Sequence, residues 1–457
     1  MKVDTSVTGT GAADADLKVG DMRPIVEEAL HGVAAGSRVL AIVPDRTRDD
    51  NTPELFPLIS QTLSGLRAAS LDVLIAQGTH VPMTDSEKRA KIGAGVSSIP
   101  LLGHLFDHHW DRESELTTLG TIEADVIAKE TGGLLRESVK IRLNSHLTPG
   151  RYDAVLIIGA TVPHEVAGFA GGAKYFFPGV AGPELTHLTH WLGALATIER
   201  VIGRVETPTR RLIEAAAEFV KTPAIAFTSV STRDESGLKT RALFAGDVRD
   251  TVRRAAAVSQ QVHVRYTGRR YKRVVAILDD HYDELWVGGK ASYKLGSVIE
   301  RGGELIIYAP HLSAISVTHG TLIEKYGYAP LERVRDMNDR TEKLLRALGK
   351  TNDAEGAMAL ARLIGQHGIR HSFDLDVYAA SANSRRPRRG RRCAPSVRSG
   401  GRTRKKVTRR FRRKESACGE STTHSSTVSF VRSSGSSGSS RANSTSSLTS
   451  GRATESS

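Results

Sequence analysis

Cysteine is almost missing from this chain of 457 residues, since only Cys393 and Cys418 occur and both lie near the C-terminal end. Residues 1–380 therefore hold no thiol, which excludes disulfide scaffolds and thiolate metal sites there. The chain also lacks any run of roughly eighteen apolar residues, the length that a membrane-spanning helix needs. Its N-terminus has no apolar signal segment. These absences predict a soluble, cytoplasmic protein.

Acidic residues are scarce in only one part of the chain. The formal net charge is +14, a balance that suggests nucleic-acid binding. Residues 381–457, however, carry 19 of the 64 Lys and Arg and only 3 of the 50 Asp and Glu. The other 45 basic and 47 acidic residues leave the body at about −2. Specific nucleic-acid binding by the body is therefore not indicated.

The basic excess belongs to a C-terminal tail of low complexity. The stretch 384–414 is rich in arginine, and the stretch 433–457 consists mainly of Ser and Gly. Neither can bury enough apolar surface to offset chain entropy, so residues 381–457 are predicted to be disordered. The tail is either an arm that binds RNA or another acidic surface nonspecifically, or an incidental C-terminus without function.

What the body does contain is a series of short, continuously apolar runs bounded by Gly, Pro, Asp or Ser. Such runs are typical of strands buried on both faces of a parallel sheet. They occur at 38–44, 71–78, 153–160, 224–230, 273–280 and 304–310. Helix-like stretches lie between them, at 53–69, 210–221 and 284–301. The alternation predicts an α/β protein with largely parallel sheets.

A polar, basic stretch at 263–273 divides this pattern into two units. We expect an N-terminal α/β domain over residues 1–265 and a C-terminal α/β domain over 266–375, with a ligand cleft between them. Polar side chains follow three of the predicted strands, at 45–48, 78–80 and 159–164. Ligands of α/β proteins bind beside the carboxyl ends of strands, so these segments are the first candidates for a site.

The segment PHEVAGFAGGAKYFFPG, residues 163–179, contains the densest chemistry in the chain. It combines His164 with the glycine pair Gly171 and Gly172 and with Lys174, and His190 follows shortly after. These residues offer a proton-transfer group, a backbone that a ligand can approach, an amine nucleophile and a metal ligand. A phosphate-binding loop is excluded, because the residues on both sides of Lys174 differ from that motif.

Two further groups of residues are weaker signals by themselves. His108 precedes Trp110 in a histidine-rich stretch, and a single histidine is more often packed than catalytic. In PDRTR, residues 44–48, Asp45 or Thr47 could simply cap a following helix. Arg48 is not explained by capping and suits a phosphate or a carboxylate.

Taken together, these segments resemble the lactate racemase family, whose members use a nickel-pincer nucleotide. The resemblance runs from about residue 35 to about residue 320, and its most specific part is the run 163–179 with its spacing to His190. The supporting segments are PDRTR, GTHVPMT (78–84), DHHWDRESELTTLGTI (107–122), THWLGA (189–194) and GGELIIYAPH (302–311). Val287 departs from the pattern, because lactate enzymes have glutamine there, so the resemblance leaves the particular 2-hydroxy acid open.

The resemblance implies a role for each site residue. Lys174 would carry the cofactor covalently, His190 would ligate nickel, and His108 and His164 would be the acid/base pair. The remaining cofactor-binding residues would be Asp45, Thr47, Arg48, Gly171 and Gly172, and the substrate carboxylate would lie near Arg48 and Lys290.

The implied reaction is the racemisation or epimerisation of a 2-hydroxy acid. The hydrogen on C2 is too weakly acidic for histidine to remove as a proton. One histidine would instead take the hydroxyl proton while hydride leaves C2 for the cofactor, and return to the other face would invert the centre. The implied partners are a small 2-hydroxy acid and the cofactor-synthesis enzymes, with no membrane. Two alternatives stay open: a nickel- or zinc-dependent hydrolase that uses the same histidines, and a catalytically silent protein that binds a sugar acid or nucleotide.

Overall fold

The computed structural model describes residues 6–317, except 96–97, 280–281 and 283, together with 320, 331, 335–336, 339, 375–380 and 430–432. The helix expected after residue 329 lies almost entirely outside the described residues. The same holds for nearly all of the predicted tail.

The elements alternate along the chain as the sequence predicts. The strands are β1 (Thr8–Gly11), β2 (Arg38–Pro44), β3 (Ser70–Ala76), β4 (Leu102–Phe106), β5 (Leu116–Ile122), β6 (Val139–Asn144), β7 (Ala154–Ala160), β8 (Pro163–His164), β9 (Gly168–Phe169), β10 (Ala224–Asp234), β11 (Gly237–Gly246), β12 (Val264–Tyr266), β13 (Tyr271–Ile277), β14 (Ile299–Tyr308), β15 (Leu375–Ala380) and β16 (Phe430–Arg432). The helices are α1 (Val19–Leu30), α2 (Thr52–Gly65), α3 (Asp85–Lys91), α4 (Ala124–Thr131), α5 (Pro183–Ala196), α6 (Ile198–Val201), α7 (Pro208–Ala217), α8 (Asp250–His263), α9 (Leu285–Gly288) and α10 (Lys290–Leu295).

A seven-stranded sheet forms the centre of the molecule, in the order β1-β11-β10-β7-β2-β3-β4. The strands from β10 to β4 pair in parallel, whereas β11 and β1 add an antiparallel edge. The α/β class with a largely parallel sheet is therefore confirmed. All six apolar runs form strands. Burial on both faces accounts for the continuous hydrophobicity of β2, β7 and β10, whereas most residues of β13 are exposed or half-buried.

Each inner strand supplies side chains alternately to two hydrophobic layers. In β2, Leu40 and Ile42 pack with α5 and α7 on one face, whereas Val39, Ala41 and Val43 pack with α1 and α2 on the other. Each fully buried aliphatic side chain of this kind stabilises the fold by roughly 1.5–3 kcal/mol. The packing fixes the sheet, and with it the loops that follow β2, β3 and β7.

A second, smaller sheet has the order β13-β14-β15, with parallel pairing throughout. The single helix expected over 284–301 is wrong. Two short helices, α9 and α10, occupy its place, and β14 begins at Ile299. Glycines account for the difference, because Gly288 and Gly289 interrupt the first helical turns and Gly296 follows the last.

One short pairing falls inside the predicted tail. Residues Phe430–Arg432 form β16, which pairs in parallel with β12. The disorder expected over 381–457 therefore does not hold for these three residues, whose backbone groups are paired with a neighbouring strand. The other tail residues lie outside the described part of the chain.

Candidate functional site

A cavity of about 280 Å³ lies at the carboxyl ends of the parallel strands. The loops after β2, β3 and β7 form much of its wall, and residues of α5, α9 and α10 complete it. Of the residues singled out in the sequence, it brings together Asp45, Thr47, Arg48, His164, Gly171, Lys174, His190 and Lys290. Val287 also lines the cavity, whereas His108 and Gly172 do not.

The loop that carries Lys174 is fixed by its backbone. Gly171 has a φ of +94°, and a Cβ at this position would collide with the hydroxyl of Thr161. Gly172 has a φ of +60° and packs against α8, where a Cβ would meet Val248 and Val252. The positive φ values and the close approaches explain why glycine occupies both positions. Of the two glycines, only Gly171 lines the cavity. Gly172 instead packs against the start of α8.

Arg210 holds the same loop from below and was not found from the sequence. Its guanidinium is 1% exposed and donates hydrogen bonds to the carbonyl oxygens of Phe169 and Gly171, the latter at 3.2 Å. The nearby carboxylate of Glu214 supports the charge, although burial lowers the pKa of Arg210 to about 10. The sequence signal for Arg210 was weak, because the buried face of α7 also carries the polar residues Thr209 and Glu214.

The surroundings of Lys174 favour the neutral form of its amine. Its pKa is lowered to about 7, mainly by burial. The neighbouring Arg48 and Lys290 also lower the pKa, whereas Glu165 raises it. The neutral amine is therefore a major species near physiological pH, and the neutral form is the nucleophile.

Three basic side chains, those of Arg48, Lys174 and Lys290, line the cavity without an ion pair among the described residues. Burial also lowers the pKa of Lys290, to about 8, with Arg48 as the next cause. Four carboxylates also line the cavity. Three of them have other partners: Asp45 lies against His80, Asp49 pairs with Arg233, and Asp50 pairs with Lys91. The fourth is Glu165, and although burial raises its pKa, His164 and Lys290 bring it well below its usual value. Arg48 and Lys290 have no ion pair of this kind among the described residues and suit an anionic group of a ligand.

His190 presents one lone pair to the cavity. Its Nδ1 donates to the carbonyl oxygen of Thr186 at 2.6 Å, one turn earlier in α5. This bond places the proton on Nδ1 and leaves Nε2 unprotonated, the form in which imidazole ligates a metal. Burial lowers the pKa of His190 to about 3, so the ring stays neutral.

His164 has the opposite tautomer. Its Nδ1 accepts hydrogen bonds from the backbone N–H groups of Val166 at 3.1 Å and Ala167 at 3.4 Å. A neutral ring in this setting carries its proton on Nε2. Burial holds the pKa of His164 well below its ordinary value, and Lys174 and Arg48 add to the effect. His164 is therefore a hydrogen-bond donor in this arrangement.

His108 lies outside the cavity wall, at 1% exposure. Its Nε2 donates to the carbonyl oxygen of Ala181 at 3.0 Å, and its Nδ1 lies 3.4 Å from the amide nitrogen of Asn144. Burial lowers its pKa to about 4. The structure does not bring together the two histidines expected to act as a pair, because the ring of His108 is enclosed by its own hydrogen bonds.

Asp45 contacts His80, a residue for which the sequence suggested no separate role. One carboxylate oxygen accepts from the backbone N–H of Thr47 at 3.0 Å and from its hydroxyl at 2.6 Å, and the other lies 2.6 Å from Nδ1 of His80. Burial raises the pKa of Asp45, but His80 and Arg48 reverse this and hold it far below its usual value. The sequence signals for His80 were its place after β3 and its position within the segment 78–84.

None of the helices among the described residues combines the length and the hydrophobicity of a membrane span. Within the same residues, no three His, Cys, Asp or Glu side chains are grouped to hold a metal ion. His190 is therefore not part of a cluster of three such side chains among these residues.

The fold and the cavity define an α/β protein whose ligand site lies at the carboxyl edge of a parallel sheet. Residues 21–201 match the sequence model of the lactate racemase N-terminal domain. The lactate racemase of Thermoanaerobacterium thermosaccharolyticum is 28% identical over 170 residues, which are 36% of this chain and 35% of that protein. The chain therefore spans about a third of the length of this curated relative. Over residues 21–201, the chain thus matches the family of lactate racemase N-terminal domains.

Solved structures extend the likeness in fold beyond this segment. A crystal structure of a Thermotoga maritima protein has a TM-score of 0.68 and 28% identity, and the match covers 80% of this chain and 88% of that one. The lactate racemase apoprotein of T. thermosaccharolyticum has a TM-score of 0.54 over 79% of this chain and 81% of that one. At 19% identity, this second likeness concerns the fold alone.

Proposed function

We propose that this protein is an isomerase that inverts C2 of a 2-hydroxy acid, as a racemase or an epimerase. The observation that carries the proposal is the convergence of Arg48, Lys174 and Lys290, without ion pairs among the described residues, on a cavity that also holds His164 and His190. A 2-hydroxy acid brings a carboxylate for the cations and a hydroxyl for the histidines. The match to this family supports the same class of reaction.

The cofactor of the proposal is the nickel-pincer nucleotide, attached covalently through Lys174. Three features of the cavity fit it: an amine at Lys174 with its pKa lowered to about 7, a free Nε2 lone pair at His190, and the basic side chains of Arg48 and Lys290 for its anionic groups. When bound, this cofactor supplies a nickel-assisted hydride acceptor. Imidazole is a suitable ligand for Ni(II), and the other donors would come from the cofactor itself.

In the proposed reaction, the residues of the protein have separate roles. Arg48 and Lys290 bind the substrate carboxylate and fix the orientation of C2. His164 donates a hydrogen bond from Nε2, and the apolar side chain of Val287 faces the cavity where the sequence resemblance expects glutamine. Since valine cannot hydrogen-bond lactate as glutamine would, we expect a substrate other than lactate.

We also propose that the chain divides near residue 265 into two α/β domains. Support comes from the second sheet β13-β14-β15, and from the cavity wall, to which Trp286, Val287 and Lys290 contribute from beyond that boundary. The cofactor-synthesis enzymes are the partners that this proposal requires for maturation. We propose that these enzymes and this protein are cytoplasmic.

The test is to produce the protein together with cofactor-synthesis enzymes and to measure its intact mass and nickel content. We expect one adduct on Lys174 with one nickel ion. Lys174→Ala should lack the adduct, whereas Lys294→Ala should retain it. Lys294 is a matched control because it lines the same cavity but lies 3.4 Å from the hydroxyl of Tyr282. Adduct formation in Lys174→Ala contradicts the attachment, and nickel or zinc without an adduct favours a metal-dependent hydrolase.

A labelled substrate tests the reaction itself. Several 2-hydroxy acids deuterated at C2, including bulky and sugar-derived ones, should be inverted with most of the deuterium retained, because a transferred hydride does not exchange with water. Inversion with full loss of the label contradicts hydride transfer. Binding without inversion of any of these acids, in protein with a verified adduct, identifies a silent binding protein.

A further inference from the structure

One basic side chain of the cavity has no role in the proposed reaction. Arg48 and Lys290 bind the substrate carboxylate in that proposal, and Lys174 attaches the cofactor. Lys294 is half-buried and lines the same cavity. Among the described residues, its amine forms no ion pair and lies 3.4 Å from the hydroxyl oxygen of Tyr282. An ammonium group in this position is available to an anionic group of a ligand.

Lys294 lies close to the side chain that is proposed to hold the substrate carboxylate. It follows Lys290 by one turn in α10. Side chains four residues apart on a helix are neighbours, with about 5–6 Å between their Cβ atoms. Burial is the main cause that lowers the pKa of Lys290 to about 8, and Arg48 and Lys294 add to the effect because their positive charges lie nearby. A 2-hydroxy acid that extends a few bonds beyond C2 can therefore contact both lysines.

The hydroxyl of Tyr282 supplies a second donor at the same place. Its oxygen accepts from the amine of Lys294, which leaves the phenol proton for a ligand. Tyr282 also lines the cavity, and its backbone carbonyl oxygen lies 2.9 Å from Nε2 of His311. An ammonium and a phenol side by side can donate to both oxygens of one carboxylate, and hydrogen bonds to a charged group are stronger than neutral ones.

The neighbouring histidine, His263, has no proton or charge to offer such an anion. Its Nε2 lies 2.9 Å from the carbonyl oxygen of Ser231. Its Nδ1 lies 2.9 Å from the hydroxyl oxygen of Ser259. Burial lowers the pKa of His263, and the positive charge of Lys294 adds to the effect, so the ring is neutral. Lys294 therefore provides the positive charge at this end of the cavity.

We infer that Lys294 and the hydroxyl of Tyr282 bind a second anionic group of the substrate. The inference rests on the proposed function and narrows its substrate to a 2-hydroxy acid with a distal carboxylate, separated from C2 by one or two methylene groups. Arg48 and Lys290 bind the carboxylate next to C2, and Lys294 binds the distal one. Lys294 is thus a specificity-determining residue that takes no part in the bond-breaking steps. The phosphate group of the cofactor is the alternative anion, and it predicts a loss of cofactor rather than a loss of selectivity.

Binding of an unreactive analogue tests the inference without the reaction. 2-Methylmalate has a methyl group where malate has the hydrogen on C2, so it cannot be inverted, and its distal monoamide has the same size without the second charge. Calorimetry on protein produced with the cofactor-synthesis enzymes should give a Kd for 2-methylmalate at least about tenfold below that of the monoamide. Lys294→Met should raise the Kd of 2-methylmalate about 10–100-fold and leave that of the monoamide within about twofold, because charge-assisted hydrogen bonds are lost.

Two further variants separate charge from shape. Lys272→Met removes the same charge from an exposed position on β13 outside the cavity wall, so it should bind both analogues as the unsubstituted protein does. Lys294→Arg should keep the preference for 2-methylmalate. Intact mass and nickel content should be the same in all variants. A loss of nickel or adduct in Lys294→Met, with equal weakening of both analogues, assigns Lys294 to the cofactor phosphate and overturns the inference.

Kinetics then connect the site to the reaction. Malate and its homologue with one more methylene group should be inverted with a kcat/KM at least about tenfold above that of their distal monoamides. Lys294→Met should act mainly on KM for the two diacids and little on kcat, because a contact to a distal group is the same before and during the reaction. Tyr282→Phe should have a smaller effect in the same direction, of about 3–10-fold, since it removes one neutral donor.

The two levels of inference fail in different ways. Equal binding of 2-methylmalate and its monoamide by the unsubstituted protein contradicts the second anion site, while inversion of other 2-hydroxy acids leaves the proposed function standing. Binding of 2-methylmalate that depends on Lys294, without inversion of any acid by protein with a verified adduct, supports the anion site and contradicts the proposed function.

Discussion

Single residues in the cavity have properties that their type alone does not give them. Lys174, His164 and His190 all have lowered pKa values, and burial is the largest cause in each case. Burial also removes the water that would otherwise compete for their lone pairs and protons. The result is a set of neutral nitrogen groups beside the cations that bind an anionic ligand.

The first prediction concerns the amine of Lys174. With a pKa lowered to about 7, Lys174 should react with an amine-selective acylating reagent along a titration curve centred near that pH. Peptide mass spectrometry measures the labelled fraction, with the exposed Lys129 as an internal reference. Arg48→Gln should move the midpoint upward, because Arg48 is the second cause after burial. A midpoint near 10 in the unsubstituted protein would show that the amine is solvated.

The second prediction concerns His190 in the cofactor-loaded protein. His190→Ala removes one nitrogen donor and leaves Lys174 intact, so the Lys174 adduct should persist while the nickel content falls at least several-fold during dialysis against a weak chelator. His187→Ala is the control, because His187 lies in the same helix but not in the cavity wall. Equal nickel retention in the two variants would contradict the ligand assignment.

At the scale of elements, the loops after β2, β3 and β7 make the site because parallel strands end at one edge. The loop between β9 and α5 then depends on contacts from outside itself. Arg210 of α7 holds its carbonyl oxygens, and α8 packs against Gly172. Lys174 is thus positioned by elements that follow it in the sequence.

The third prediction tests the close fit of this loop. Gly171→Ala and Gly150→Ala both place a side chain at a positive φ, of +94° and +84°, but only Gly171 has a neighbour within reach of the new Cβ. Gly150→Ala should cost about 1 kcal/mol of the free energy of unfolding, and Gly171→Ala about 2–4 kcal/mol. Urea denaturation measures both. Similar costs for the two variants would show that Thr161 yields to the added methyl group.

The molecule as a whole combines a nearly neutral body with a strongly basic C-terminal segment. The large sheet lies entirely before residue 265, and its two hydrophobic layers consist of residues before 265 apart from Tyr293, with Leu331 packed against one of them. Among the described residues of the tail, β16 pairs with β12 and also lies close to α10.

The fourth prediction follows from this distribution of charge and packing. Deletion of residues 381–457 should change the Tm by less than about 2 °C, because residues of the body form the large sheet and the hydrophobic layers on its two faces. The same deletion should abolish nonspecific binding to heparin or RNA, which a salt-dependent retention assay measures. A loss of cooperative unfolding in the truncated protein would show that the tail is part of the folded unit.

The sequence by itself determined the α/β class, the six strands that its apolar runs predict, and several of the residues at the cavity. Continuous apolar runs of this length favour buried strands, and the segment 163–179 is specific enough to locate the site. The sequence did not predict the break between α9 and α10, because an apolar run with glycines is compatible with one helix or two.

Only the tertiary structure decided what each histidine can do. A histidine's tautomer depends on what its other nitrogen contacts, and the contacts of His80, His108 and His164 come from Asp45, Ala181 and backbone N–H groups. Two of these partners are distant in the sequence, so spacing could not reveal that His108 is enclosed and that His80 faces the cavity. Arg210 was missed for the same reason, because its two carbonyl partners lie about forty residues earlier in the chain. Local pattern sets the strands and the loops, whereas proton positions and buried charge depend on neighbours that only folding brings together.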